Sequence, residues 1–179
     1  NAQVQKLEQR KNELSSQLNA LKDTADKNEK AAEIAKQNAQ TNGILSGRLA
    51  ATGEGVVIRI SQGSKQKIDS AILFTLLEEL RNSGAEVIEI NNVRVVTSTY
   101  ISGTAGSLVC DGTKLKSPFT IRAIGDSDNL QNAVNLAGGV GSRLKVKYGA
   151  TVSVSPSDKV MIKSTRQAPQ YTYAHVIGQ

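Results

Sequence analysis

The stretch GVVIRISQGSKQKIDSAILFTLLEELRNSGAEVIEI, residues 55–90, decides the fold class. Val56 to Ile60 is a β-branched run suited to a buried strand. After the turn-like Ser61-Gln62-Gly63-Ser64, the residues Ile68, Ile72, Leu73, Leu76, Leu77 and Leu80 recur at helical spacing and share one face. Asp69 stands where an N-cap belongs and Gly84 where a helix stops. Ala85 to Ile90 then reads as a second strand, so the segment is β-α-β.

Working toward the C-terminus, Asn91-Asn92 begins a turn into Val93 to Thr97, and Leu108 to Cys110 with Asp111-Gly112 has the pattern of a hairpin. Phe119 to Ile124 is a further strand, ended by Gly125. Asp126 is placed to cap a second helix, with Leu130, Ala133, Val134 and Ala137 on one face and Gly138-Gly139 at its end. Thr151 to Val154 and Val160 to Ile162 read as short strands. In the tail, residues 163–179, Tyr171, Tyr173 and His175 alternate with Thr172, Ala174 and Val176 as in an edge strand. The order β-α-β, hairpins, β-α-β predicts an α+β domain over residues 56–179. It is ferredoxin-like (split βαβ), with helices on one side of an antiparallel or mixed sheet.

Toward the N-terminus, residues 43–55 hold four glycines and read as a linker. Residues 1–42 read as one helix, without Pro or Gly from Ala2 to Asn42 and with Asn42-Gly43 as its stop. Val4, Leu7, Leu14, Leu18 and Leu21 fall on alternating three- and four-residue steps, Lys11 filling the one polar position. That is the seam of a coiled coil, which predicts a helical stalk and a homodimer. The alternative is a long helix folded back on its own domain.

Composition narrows the function. The net charge of +6 divides as seven Lys/Arg against six Asp/Glu in residues 1–42, thirteen against ten in 43–162 and two against none in 163–179. A nucleic-acid binder concentrates its positive charge on one face, so no nucleic-acid partner is expected. The only cysteine, Cys110, excludes an internal disulfide and a thiolate zinc site. His175 is the only histidine and lies in the tail, so triads and histidine metal sites lack material. Glu78 with Glu79, Glu86 with Glu89 and Asp126 with Asp128 are candidate carboxylate pairs for acid/base work, but Glu78 with Glu79 falls on the polar side of a helix, and Asp126 with Asp128 where caps favour acids. Gly63-Ser64-Lys65 lacks the order of a phosphate loop, and Gly138-Gly139-Val140-Gly141 follows a helix instead of opening one. No catalytic, cofactor-binding or metal-binding residue is therefore assigned, and the chain is expected not to be an enzyme.

Two polar groups stand out. Asn91, Arg94, Arg122 and Asp126 flank strand ends, where two guanidinium groups would suit a carboxylate or phosphate on a ligand or partner. Arg143, Lys145 and Lys147 alternate with Leu144, Val146 and Tyr148, which in an extended segment gives one basic and one apolar face. Such a face meets anionic lipid or wall polymer, or protects an exposed edge.

The stretches GEGVVIRIS, LRNSGAEVIEINNVRV, PFTIRAIGDSDNLQNAV with the following GGV, and YTYAHV resemble the YlxW-like bacterial family, domain of unknown function 881, over roughly residues 49–177. The resemblance implies a single membrane-spanning helix ahead of this chain, a coiled-coil stalk and an α/β domain outside the cytoplasm. A start at Asn1 instead of Met fits a missing N-terminal segment. Family members are encoded near cell-division genes, and no enzymatic activity carries over. Asn92 departs from the Gly common after the first Asn of the turn, a change that bears on how tight the turn is. The expected function is a non-enzymatic, membrane-tethered extracytoplasmic scaffold or interaction module that binds an unidentified envelope protein. The alternative is a small-ligand-binding regulatory domain.

Overall fold

A computed structural model describes residues 2–178. The chain divides into two units at Asn42/Gly43.

Helix α1 runs from Ala2 to Leu45, so the expected stop at Asn42-Gly43 is passed by three residues. Gly43 serves close packing instead of ending the helix: a Cβ there would lie 2.5 Å from Leu49 Cδ1. The helix ends instead at Gly47, whose φ of +75° is left-handed and whose N–H donates to the Ile44 carbonyl at 3.0 Å. Every described residue up to Asn42 is exposed. Val4, Leu7, Leu14, Leu18 and Leu21 are each 53–69% exposed.

The second unit is built on a five-stranded sheet, and its first strand corrects the linker reading of 43–55. β1 begins at Ala51 and runs to Ser61, leaving only residues 46–50 as connection. Its glycines serve close packing. At Gly55 a Cβ would sit 1.9 Å from the Ala123 carbonyl oxygen of the neighbouring strand, so any side chain is excluded. The other strands of this sheet are β2 (Val87–Ile90), β3 (Val93–Val95), β7 (Phe119–Ile124) and β8 (Thr151–Ile162). They lie in the order β3-β2-β7-β1-β8, and each neighbouring pair is antiparallel.

Strand alternation sorts the side chains to two faces. Val56, Ile58 and Ile60 pair with Ala123, Ile121 and Phe119 in register, and Ile88 and Ile90 continue that face across β2. All are buried in one cluster with the helices. Helix α2 (Ser70–Asn82) contributes Ile72, Leu73, Leu76, Leu77 and Leu80, with Asp69 capping Ile72 N–H at 2.9 Å as the sequence predicts. Helix α3 (Ser127–Asn135) contributes Leu130 and Val134, and Asp126 caps it through Asn129 N–H at 2.8 Å.

The segment after α3 differs from expectation. Residues 143–148 are not extended: Val140–Val146 form a short helix, α4, that opens at Gly139 and buries Val140 and Leu144. The basic and apolar residues alternate by chance of sequence, whereas Val140 and Leu144 are one helical turn apart and decide the packing. Nor are there two short strands at 151–154 and 160–162. β8 is continuous, because Pro156 lies on a strand paired on one side only, where its missing N–H costs nothing, and a bulge opposite Gly53/Gly55 absorbs the irregularity. The tail does not extend the sheet: no strand forms among the described residues 163–178, and Tyr171 and Tyr173 are exposed.

The turn Asn91-Asn92 joins β2 to β3 with both residues left-handed, at φ +45° and +64°. Two positive φ values define the tight hairpin turn, so Asn in place of Gly does not loosen it. A small second sheet holds β4 (Ile101–Thr104), β5 (Ser107–Cys110) and β6 (Thr113–Lys114). The predicted Asp111-Gly112 turn joins its last two strands.

Candidate functional site

On the face of the large sheet away from the helices, one cross-strand row runs through all five strands. Glu89 pairs in register with Arg94 on one side and Arg122 on the other. Arg122 in turn faces Val57, and Val57 faces Ser155. Directly opposed residues bring their Cβ atoms within about 4.5–5.5 Å, so the row places a carboxylate between two guanidinium groups.

The two arginines have different fates. Arg94 is 2% exposed and spends its donors on main chain: Nη1 on the carbonyls of Leu49 (2.8 Å) and Ser164 (3.1 Å), Nη2 on that of Ile44 (2.9 Å). Burial pushes its pKa below the usual guanidinium value, and the facing Glu89 opposes that shift. Arg94 therefore ties the chain entering the sheet to the chain leaving it. Arg166 completes the brace, donating to the Arg94 carbonyl at 2.8 Å and pairing with Asp111, which also accepts from Tyr100 N–H at 3.1 Å.

Arg122 points elsewhere. Its Nη1 pairs with Glu89 at 2.9 Å, and its side chain stays one-third exposed, whereas that of Glu89 is nearly buried. Both line an open groove of about 390 Å³ together with Val57, Asn92, Lys159 and Lys163. Three cations and one carboxylate face this space, so its local potential is positive.

Of the four polar residues that the sequence singles out, only Arg122 lines the groove. Arg94 shares its row but is buried and turned to the carbonyls of Ile44, Leu49 and Ser164. Asn91 is a structural clasp, donating to the Lys116 carbonyl at 2.8 Å and accepting from Thr120 N–H at 2.8 Å. Asp126 is occupied as the α3 cap. Lys159 and Lys163 escaped the sequence reading, and Glu89 entered it only as one of a pair of acids with Glu86. Glu89 and Arg122 are the polar alternates in VIEI and FTIRAI, a signal that was there to be read. Lys159 and Lys163 gave none, since they fell between and beyond two strands that are in fact one.

Reactive chemistry is sparse. Among the described residues no cluster of three or more His, Cys, Asp or Glu side chains is arranged to hold a metal ion. Cys110 is buried, and burial pushes its thiol pKa up, away from the reactive thiolate. No helix of the described residues is long and apolar enough to cross a membrane.

These features define a class: a mixed α+β protein with antiparallel sheets, a long N-terminal helix and a polar groove on the helix-free face of the larger sheet. The chain belongs to the family described as bacterial protein of unknown function (DUF881), whose profile matches residues 38–175. It is 34% identical over 169 residues to UPF0749 protein Rv1825 of Mycobacterium tuberculosis, covering 92% of this chain and 57% of that protein. It is 30% identical over 126 residues to UPF0749 protein YlxW of Bacillus subtilis, covering 65% of this chain and 54% of that one. The chain thus spans little more than half the length of these curated relatives. The crystal structure of an uncharacterized conserved protein from M. tuberculosis is similar at a TM-score of 0.72 and 35% identity, covering 78% of this chain and 99% of that one.

Proposed function

We propose that this chain is the extracytoplasmic part of a membrane-tethered, non-enzymatic scaffold of the bacterial cell envelope, acting in cell division. In this reading α1 dimerises as a coiled coil and the second unit, a ferredoxin-like domain, binds an envelope protein. The ferredoxin-like reading is supported by the sheet order β2-β7-β1-β8 with, along the chain, α2 between β1 and β2 and α3 and α4 between β7 and β8.

The observation that carries the proposal is the uncovered stripe Val4, Leu7, Leu14, Leu18 and Leu21 on a 44-residue helix. A helix with apolar residues on a seam and nothing over them gains by pairing with a second copy. Each seam residue contributes about 1.5–3 kcal/mol when fully buried, while association costs about 4–15 kcal/mol, so the dimer is weak in dilute solution. A common membrane anchor ahead of the chain would raise the effective concentration and make the same seam sufficient.

Sedimentation equilibrium of the intact chain tests this. The expected result is concentration-dependent dimerisation that Leu14→Ser with Leu18→Ser abolishes. A monomer up to about 1 mM, where an association of roughly −4 kcal/mol becomes visible, contradicts it.

A further inference from the structure

We propose that the groove on the helix-free face of the sheet is a binding site for a phosphate- or diphosphate-bearing ligand, with Arg122, Lys159 and Lys163 as its cationic contacts. This goes beyond the scaffold reading and does not depend on it.

The geometry points to an anion for three reasons. First, Arg122 is held for the task and not used up: Nη1 is fixed by Glu89, and Nε and Nη2 have no protein partner among the described residues. A guanidinium anchored on one edge presents the remaining N–H groups in a planar fork that matches two oxygens of a phosphate. Second, Glu89 is itself 3% exposed, fixed in a strand paired on both sides with Arg94 as its register neighbour on the far side, so the anchor is held in place. A ligand contact built on a buried ion pair keeps its orientation without the ligand. Third, the two lysines come from one strand end: Lys159 from β8 and Lys163 just after it. Both line the same space as Arg122, and Asn92 adds an amide at the rim.

A net surplus of two positive charges in a groove also lined by Val57 and Val160 repels cations and favours anions. Its volume of about 390 Å³ accommodates a diphosphate with a small attached group. Glu89 does not compete for the lysines as an acid in the open would, because its side chain is only 4% exposed and already paired.

The phosphate has two sources, a free anion or a lipid headgroup, and the experiment has an arm for each. The intact chain is titrated calorimetrically with inorganic pyrophosphate at low salt, and separately sedimented with vesicles of phosphatidylglycerol in phosphatidylcholine. The expected result is saturable binding in at least one arm, weakened tenfold or more by Lys159→Gln with Lys163→Gln. These exposed positions leave the Glu89–Arg122 pair intact, so folding is not at stake. Lys145→Gln with Lys147→Gln removes the same charge elsewhere and is expected to leave binding within twofold of the parent. Arg122→Gln is the second variant, read only where circular dichroism matches the parent. No binding in either arm, or equal weakening by both lysine pairs, overturns the proposal.

Discussion

Replacing Arg94 tests the physical account of the second unit. Its guanidinium makes three charged hydrogen bonds to the carbonyls of Ile44, Leu49 and Ser164 and faces Glu89 in register. Hydrogen bonds to a charged group contribute about 1.5–3 kcal/mol each, a gross of roughly 5–9 kcal/mol. Desolvating the guanidinium costs several kcal/mol of that, so Arg94→Met, which fills the volume but strands three carbonyls, is expected to destabilise by about 3 kcal/mol. Arg94→Lys keeps the charge but has no fork to reach all three carbonyls and is expected to lose about half as much. With four tyrosines and no tryptophan, tyrosine fluorescence in urea reports the transition. At an m of about 1–3 kcal/mol per molar, the Arg94→Met midpoint falls by about 1–3 M. Amide exchange in residues 44–50 and 163–166 rises with it. A loss under about 1 kcal/mol in Arg94→Met would refute the brace, since the bonds would then only replace equivalent water contacts.

Four further outcomes follow from the packing. Gly55→Ala puts a methyl 1.9 Å from the Ala123 carbonyl oxygen and is expected to cost about 3 kcal/mol or more in the same urea assay, with β1 and β7 forced apart. Tyr148 donates to Asp69 at 2.6 Å; burial and that bond push its phenol up to about 12, against about 10 for a free tyrosine, so one tyrosine absorbance step is expected late in an alkaline titration. The raised pKa means this contribution to stability is whole below about pH 10 and lost as pH rises through 12, and Tyr148→Phe removes that dependence. For Asp69, burial works to raise the carboxyl, but the bonds from Tyr148 and from Ile72 N–H outweigh it and lower the pKa. Its stabilisation is therefore present above the unfolded pKa and is lost as pH falls through the folded value, and Asp69→Asn flattens the acid limb. Cys110 is expected to resist a thiol reagent until the chain unfolds.

Where the sequence could be read, one element imposed one period. Ile72, Leu73, Leu76, Leu77 and Leu80 form a single helical stripe, and Phe119 to Ile124 alternates cleanly, so α2 and β7 were found with their caps and ends. The misreadings share a physical cause: a residue type whose usual meaning was overridden by its neighbours. Glycines at 53 and 55 suggested a linker, yet they are what lets β1 lie against β7. Thr151 to Val154 and Val160 to Ile162 read as two strands, yet they are one, because an edge strand tolerates Pro156 between them. Residues 143–148 alternate like a strand, while the buried Val140 and Leu144 make them a helix. For the site, cross-strand register was the missing knowledge. Arg94 and Arg122 both stand near strand ends in the sequence, and only the pairing through Glu89 separates the arginine that braces the chain from the one that faces the groove.

The claim on which the functional account rests is that two copies of α1 meet, parallel and in register, along Val4 to Leu21. Oxidative cross-linking of the intact chain at about 1 mM, the concentration at which an association of roughly −4 kcal/mol is visible, measures this directly. Leu14→Cys, on the seam, is expected to give a covalent dimer rapidly, whereas Ser16→Cys, on the opposite side of the same helix turn, stays monomeric. Equal cross-linking at both positions, or none at Leu14→Cys, contradicts the account.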